Sequence, residues 1–208
     1  MANLTLEEKV AKALFDVKAV KINVKEPFTF ASGIKIINTH TLQIVKEFKA
    51  DGQPGALHDN TIFSIARSPQ GKIYLGTIRG LCTYNPNTNT FIYDKKIPPV
   101  LVNDVHFDSH GNLWLATQTN GVFKYNNGRW INFKVGNSGL TTDKILSIFE
   151  DHKGFIWVTT QGGGVCRFNF SSGQFVSLNQ GVLNKTATYF RMVEDENGVL
   201  WFSGYNGI

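Results

Sequence analysis

The alternation of apolar and polar residues changes near residue 33 of this 208-residue chain. Before that point, apolar residues recur on one helical face, formed by Leu6, Val10, Leu14 and Val17. Thr5 and Glu8 have the spacing of a capping box, so a helix is predicted over about residues 6–18. After it, short apolar runs are separated by Gly and Asn turns, as is typical of β-strands. The chain is therefore predicted to be all-β, with a short N-terminal α-helix.

One pattern recurs four times around a glycine, in SPQGKIYLGT, DSHGNLWLAT, DHKGFIWVTT and DENGVLWFSG. These glycines, Gly71, Gly111, Gly154 and Gly198, recur at intervals of about 40–45 residues. A second glycine follows in each of the first three copies and opens another apolar run, as in GLCTYN, GVFKYN and GVCRFN. A strand-like patch such as TFIYD comes next, so each copy predicts four short strands.

Four strands within this period are the signature of a β-propeller blade. A single such sheet cannot bury both of its apolar faces, whereas stacked blades bury them against one another. GIKIIN at Gly33 repeats the third-strand pattern, so residues 33–50 are predicted to be the outer half of a further blade. The sequence thus predicts a partial β-propeller of about three full four-stranded blades and two half blades. The predicted divisions are residues 1–32, the propeller over 33–208, and blade repeats at about 58–97, 98–139, 140–182 and 183–208.

The recurring polar and aromatic positions are interpreted as structural. The first turn of each copy begins with a residue that can cap it, namely Ser68, Asp108, Asp151 and Asp195. The aromatic residues three positions after the glycine are expected in the core between blades, and they are Tyr74, Trp114, Trp157 and Trp201. Cys82 and Cys166 occupy equivalent positions two blades apart, which predicts core residues and no disulfide.

Charge and composition exclude several other classes of protein. The net charge is +5 and the Lys and Arg residues are dispersed, so no nucleic-acid partner is expected. His110 and His152 fall in first turns, which indicates polar turn residues and no metal site. No stretch approaches the roughly 18 apolar residues of a membrane span. Charged residues interrupt the N-terminal segment, so it does not have the apolar core of a signal peptide. As written, the chain is expected to stay in the cytoplasm, with no cofactor.

Two of the repeats, VNDVHFDSHGNLWLATQTNGVFKYN and ILSIFEDHKGFIWVTTQGGGVCRFN, resemble the two-component regulator propeller family. The resemblance covers about residues 58–208 and is weakest in the first copy, where Ser68 and Tyr74 replace Asp and Trp. It implies the periplasmic sensor of a hybrid two-component system, which binds breakdown products of complex glycans. The implied partners are an oligosaccharide, the remaining propeller blades, and a histidine kinase module reached through a membrane helix.

A second resemblance falls on the N-terminal part. ALFDVKAVKINVKEPFTFASGIK is similar to the N-terminus of orotate phosphoribosyltransferases, in which PFTxASGxK lies beside the orotate site. Here the family's continuation is replaced by Ile36-Ile37-Asn38, and no acidic phosphate-binding loop follows. Ser32 and Lys35 are therefore not assigned to a working site. Residues 1–32 are interpreted as foreign to the propeller, through a recombined reading frame or an unusual natural leader.

Candidate ligand-binding residues follow from the expected propeller geometry. The connections between strands 2 and 3 share one face with those between successive blades, and ligands generally bind there near the axis. Amide, guanidinium and phenol side chains suited to sugars lie on the connections between strands 2 and 3, and they are Arg79, Gln118, Asn120, Gln161 and Tyr205.

Two other hypotheses remain open at this level. A structural or protein-interaction propeller would use a flat face for another subunit, and exposed end blades favour self-association. An enzyme would need an acid/base pair near the axis or a phosphoribosyltransferase site, and the sequence offers no catalytic residue for either. An orotate phosphoribosyltransferase remnant without activity is the remaining form of that hypothesis.

Overall fold

The computed structural model describes residues 33–178 and 186–205, which form a series of antiparallel sheets. The predicted helix over residues 6–18 lies outside the described residues, as does Ser32. Within the described ranges, no helix has the length and apolar character that a membrane crossing requires.

Five sheets follow one another along the described part of the chain. The N-terminal half blade contains β1 (Ile34–Ile37) and β2 (Ile44–Phe48). Blade 1 contains β3 (Ile62–Arg67), β4 (Ile73–Thr77), β5 (Gly80–Asn85) and β6 (Thr90–Tyr93). Blade 2 contains β7 (Val102–Phe107), β8 (Leu113–Thr117), β9 (Val122–Asn126) and β10 (Arg129–Phe133). Blade 3 contains β11 (Ile145–Glu150), β12 (Ile156–Thr160), β13 (Val165–Asn169) and β14 (Gln174–Ser177). The C-terminal half blade contains β15 (Tyr189–Glu194) and β16 (Leu200–Gly204).

Each sheet is a meander in which every strand pairs with the next one along the chain. The first strands of successive sheets, β3, β7, β11 and β15, contact one another, so they line the axis of the stack. The predicted partial propeller of three full blades and two half blades is thereby confirmed. In the described residues the stack is open, because the N-terminal and C-terminal half blades remain separate two-stranded sheets.

In blades 2 and 3 and in the C-terminal half blade, the first turn is held by its leading aspartate, as predicted. In blade 2 the Asp108 carboxylate accepts backbone N–H bonds from His110 and Asn112. It also accepts the indole N–H of Trp114 at 2.8 Å, a bond that the sequence pattern did not reveal. Asp151 with Trp157, and Asp195 with Trp201, repeat this arrangement. The turn and the core aromatic residue of the next strand are thus fixed by one carboxylate.

Blade 1 replaces both members of this pair together. Ser68 accepts the backbone N–H of Lys72 at 3.1 Å and caps the turn as the aspartates do. Tyr74 has no indole N–H to donate, and it packs edge-on against Phe107 of the neighbouring blade. The serine and the tyrosine of the first copy are therefore one coupled change, because the second carboxylate oxygen of an aspartate has an indole N–H to accept only when a tryptophan follows.

The hydrophobic core lies between consecutive blades. Trp114 is fully buried, with Phe133 of its own blade and Phe168 of blade 3 around it. Other buried residues of this interface are Val122, Ile148, Ile156 and Val158. Burial of such side chains contributes about 1.5–3 kcal/mol each, so the interfaces between blades account for most of the stability of the stack.

Trp201 departs from the prediction that the repeated aromatic residues lie in the core. Its side chain is 54% exposed, whereas Trp157 is 6% exposed. The reason is local, because the strands that cover Trp114 have no counterpart beside β16 among the described residues. The structure also adds one element that the sequence pattern did not predict, the four-residue helix α1 (Val135–Ser138) between blades 2 and 3.

Both cysteines are buried and free, as the blade geometry predicted. Burial raises the pKa of the Cys82 thiol to about 12, and it also raises the pKa of the Cys166 thiol. With this pKa, only roughly one Cys82 side chain in 10⁴ is a thiolate at pH 8, and the thiolate is the reactive form.

We therefore expect neither cysteine of the folded chain to react with a disulfide-exchange reagent at pH 8 on the timescale of minutes. The measurement is the absorbance of the released thiolate, with the chain in 6 M guanidinium chloride (roughly full unfolding) as the control in which both thiols react. Fast labelling of the native chain would contradict the burial of these side chains.

Candidate functional site

Two sets of loops meet on one face of the stack. The backbone N–H of Gln118, on the connection between β8 and β9, donates to the carbonyl of Leu101 just before β7. Gln161 donates in the same way to Lys144, and Tyr205 donates to Thr188. The connections between strands 2 and 3 therefore lie beside the connections between blades, and the five candidate residues lie on these connections.

Threonines at the ends of the second strands hold these connections in shape. The Thr117 hydroxyl donates to the carbonyl of Gly121 and accepts the backbone N–H of Asn120. Thr77 makes the same two bonds, to Gly80 and from Arg79. Both threonine side chains are fully buried, so the loops that carry the candidate residues are anchored from below.

Three amide side chains form a ladder across blades 2 and 3. The Asn103 amide donates to Gln118 Oε1 at 2.9 Å and to the carbonyl of Ile145 at 2.7 Å. Gln118 Nε2 in turn donates to Gln161 Oε1 at 2.9 Å. Gln161 is exposed, and no contact of the described residues uses its Nε2 group. We call Asn103, Gln118 and Gln161 the amide ladder; it ends on an amide donor directed to solvent.

An aromatic pair adjoins this end of the ladder. Tyr205 and Phe190 meet edge to face with their ring centroids 5.0 Å apart, and both side chains are exposed. Thr188 connects them to the ladder, since it accepts the N–H of Gly162 on its hydroxyl and the N–H of Tyr205 on its carbonyl. Hydrogen-bonding groups and an aromatic surface therefore lie side by side, which is the combination that binds sugars.

Arg79 and Asn120 lie on the same face but outside this arrangement. Arg79 is exposed and acts on Asp59, whose pKa is lowered mainly by hydrogen bonds from Thr61 and further by the Arg79 charge. The Asn120 side chain accepts a hydrogen bond from its neighbour Thr119. No contact of the described residues joins either side chain to the amide ladder.

The axis beneath this face carries a polar cluster that spans four sheets. The Asp104 carboxylate of β7 accepts the Ser64 hydroxyl at 2.8 Å and the backbone N–H of Ile148 at 3.0 Å. It also pairs with Arg191 of β15 at 3.1 Å. Through these bonds the buried Asp104 carboxylate connects the first strands of the three full blades and of the C-terminal half blade.

A bulge in every first strand produces this geometry. The register between first and second strands skips one residue in each sheet, namely Phe63, Asn103, Leu146 or Phe190. The next residue in each strand is the axial residue, and this set consists of Ser64, Asp104, Ser147 and Arg191. Bulges of this kind redirect side chains near functional sites. They explain how Asn103 and Phe190, which sequence reasoning missed, reach the candidate site.

A signal for these residues exists in the sequence. The axial residues lie seven positions before the first glycine of each repeat, and the bulged residues lie eight positions before it. Two adjacent positions that both break the strand alternation indicate a bulge. The identity of their partners, in contrast, depends on the neighbouring blades.

The opposite face carries the first turns and their charged residues. The Glu150 carboxylate accepts hydrogen bonds from the backbone N–H and the hydroxyl of Ser109. The Glu194 carboxylate is bonded in the same way to the backbone N–H and the ring Nδ1 of His152. These carboxylates fasten the first turns of blades 2 and 3 to the next sheet. Burial lowers the pKa of the half-buried His106, which lies 3.8 Å from Glu150. In the described ranges, no group of three or more His, Cys, Asp or Glu residues is arranged to hold a metal ion.

The family model for the two-component regulator propeller matches residues 139–162. Residues 139–162 are similar to a two-component regulator propeller repeat. They comprise the end of the connection before blade 3, the strands β11 and β12, and the turn held by Asp151. The other copies of the pattern form the same elements at the same positions. No curated protein matches the chain, and none of these findings supports the resemblance of the N-terminal segment to orotate phosphoribosyltransferases.

Solved structures share this propeller fold. The extracellular domain of a protein described as a hybrid two-component system of B. thetaiotaomicron is 21% identical, with a TM-score of 0.67 over 83% of this chain. An extracellular domain described as belonging to a one-component system of B. thetaiotaomicron is 19% identical, with a TM-score of 0.65 over 84% of this chain. Virginiamycin B lyase of Staphylococcus aureus, an inactive variant solved with quinupristin, is 14% identical over 83% of this chain, with a TM-score of 0.59.

The fraction of each matched structure that this chain covers differs between the domains and the lyase. This chain spans 24% of each of the two extracellular domains and 62% of the lyase. At these identities the likeness establishes the fold, and that fold occurs both in extracellular domains of signalling systems and in a lyase.

Proposed function

We propose that the chain is part of the ligand-sensing propeller of a hybrid two-component system and that it binds glycan breakdown products. The observation that carries the proposal is the amide ladder beside the aromatic pair, on the face that bears the connections between blades. The propeller repeat at residues 139–162 and the extracellular domains with the same fold support the sensor role. The rest of the propeller, the membrane helix and the kinase would belong to the parent protein, with the propeller in the periplasm.

The chemistry of the site favours a neutral, hydroxyl-rich ligand. The Gln161 amide can donate to a sugar hydroxyl without first breaking a bond within the protein, because its Oε1 atom alone is used by Gln118. Tyr205 is 67% exposed and can stack on the apolar face of a pyranose ring. Asn103 and Gln118 act as positioning residues, since their mutual bond orients Gln161. Arg79 and Asn120 are proposed as peripheral contacts on the same face.

A non-enzymatic role is part of the proposal. Among the described residues, His152 and Glu194 fasten the first turn of blade 3 to the next sheet on the opposite face, and His106 of β7 lies 3.8 Å from Glu150. The likeness to virginiamycin B lyase concerns the fold, at 14% identity, and transfers no chemistry to these residues.

Substitution of Gln161 or Tyr205 by alanine is expected to weaken glycan binding about 5–10-fold each, because each loss removes roughly 1–1.5 kcal/mol of contact. The probe is a panel of oligosaccharides from digested plant and host polysaccharides, with affinities measured by isothermal titration calorimetry. Lys153→Ala, on the exposed first turn of the opposite face, is the matched control and should bind as the unmodified chain does. Equal affinities for all three variants would contradict the placement of the site. If no oligosaccharide of the panel bound the unmodified chain, the sensor proposal for this chain would fail.

A further inference from the structure

The turn between β9 and β10 in blade 2 differs from the other outer turns of the stack. In the equivalent turns of blades 1 and 3, and in the turn between β1 and β2, an asparagine side chain accepts the backbone N–H of the second residue after it. These asparagines are Asn38, Asn85 and Asn169. Blade 2 has only Asn127 and Gly128 between its two strands, and no hydrogen bond of the described residues uses the Asn127 side chain. This turn therefore lacks the side-chain cap that the other three share.

The uncapped turn holds two reactive groups next to each other. Asn127 has a φ of 47° and Gly128 a φ of 81°, as two-residue hairpin turns of this sequence require. Both residues are exposed, and no acceptor among the described residues takes the Gly128 N–H. A Cβ atom on Gly128 would meet no heavy atom within 4 Å. The side-chain carbonyl of Asn127 and the backbone nitrogen of Gly128 can therefore approach each other without first giving up a hydrogen bond of their own.

We propose that Asn127 is a site of spontaneous deamidation, with water as the only co-reactant. The Gly128 nitrogen attacks Cγ of Asn127, the new C–N bond closes a succinimide ring, and the side-chain nitrogen leaves as ammonia with the proton from Gly128. Water then adds to one of the two ring carbonyl groups and breaks the bond of that group to the ring nitrogen. Opening at Cγ yields aspartate and opening at the backbone carbonyl yields isoaspartate, so either product carries a new carboxylate.

Two other Asn-Gly pairs of the described residues are protected by the fold. The Gly121 N–H donates to the carbonyl of Asp143 at 2.9 Å, and a Cβ atom on this glycine would collide with a backbone carbonyl oxygen. The Gly198 N–H donates to the carbonyl of Asp195 at 3.1 Å, beside a histidine ring. In both pairs the attacking nitrogen is hydrogen-bonded and its surroundings are crowded, so a local opening must precede the reaction. A further pair, at 206–207, lies outside the described residues.

The isoaspartate product loosens the outer edge of blade 2. It adds a backbone carbon to a turn of two residues, and the length of such a turn fixes the register of the strands that it joins. In this register Trp130 lies opposite Tyr125, and its indole N–H donates to Asp94 of blade 1 at 3.1 Å. A longer turn displaces β10 and weakens this bond between blades 1 and 2. The aspartate product keeps the turn, since its side chain is as short as that of asparagine and tolerates the left-handed backbone.

Incubation of the folded chain in buffered heavy-oxygen water tests the proposal. Each succinimide that hydrolyses takes up a labelled oxygen, which mass spectrometry of proteolytic peptides assigns to a residue. We expect Asn127 to acquire the label about tenfold faster than Asn120 or Asn197, because the glycine N–H bonds of those two pairs must break first. The chain unfolded in urea is the control for effects of local sequence, and there the three pairs are expected to react at similar rates.

If Asn127 of the folded chain were labelled no faster than Asn120 and Asn197, the proposal would be overturned. Asn127→Gly is the matched variant for the structural effect, because glycine accommodates this turn and has no amide to lose. Amide hydrogen exchange of β10 should become faster as the unmodified chain ages and stay constant in Asn127→Gly. An unchanged exchange rate in the unmodified chain, after most of its Asn127 has reacted, would refute the loosening of blade 2.

Discussion

Substitution of Trp114 by alanine is expected to lower the free energy of unfolding by about 3–5 kcal/mol. The indole is fully buried between blades 2 and 3, against Phe133 and Phe168, and Lys124 lies 4.7 Å from its ring centroid. Its removal would leave a large cavity and deprive the buried Asp108 carboxylate of a donor. The measurement is urea unfolding followed by circular dichroism.

The chain itself offers the control for this experiment. Blade 1 uses Ser68 with Tyr74 where blade 2 uses Asp108 with Trp114. The double variant Asp108→Ser/Trp114→Tyr is therefore expected to be clearly more stable than Trp114→Ala, since it fills most of the cavity and leaves no carboxylate without its donor. A loss below about 1 kcal/mol for Trp114→Ala would contradict the role of this interface.

Substitution of Asp104 by alanine is expected to lower the free energy of unfolding by about 2–4 kcal/mol, because hydrogen bonds to a charged group contribute more than neutral ones. The change removes the acceptor for the Ser64 hydroxyl and for the buried N–H of Ile148, as well as the partner of Arg191. The same urea titration measures the loss, which should also increase the susceptibility of the first strands to hydrogen exchange.

Two variants separate the parts of this cluster. The Arg191 side chain is 60% exposed, so Arg191→Ala is expected to cost less than about 1 kcal/mol. Asp51→Ala removes an exposed loop carboxylate that caps one neighbouring N–H, and it should change stability by no more than about 0.5 kcal/mol. If Asp104→Ala were as mild as Asp51→Ala, the axial cluster would not hold the blades together.

The sequence alone determined the local architecture of this protein. Strand length, turn type and blade period depend on residues close together in the chain, such as Asp108, Gly111 and Trp114, and the structure confirms them. The core position of the cysteines follows from the same phase argument. Its failure at Trp201 has a clear cause, because the repeat predicts which side of a strand faces the next blade but not whether a blade is present there.

The sequence could propose a face for the candidate site but could not predict how its residues are assembled. Gln118 and Gln161 are 43 residues apart, and Asp104 and Arg191 are 87 residues apart. Their contacts depend on the rotation from one blade to the next and on a bulge in each first strand, both of which arise when the first strands pack around the axis. Asn103 and Phe190 reach the site through that bulge. Tertiary packing therefore decided the amide ladder and the axial cluster, since each needs groups from different blades.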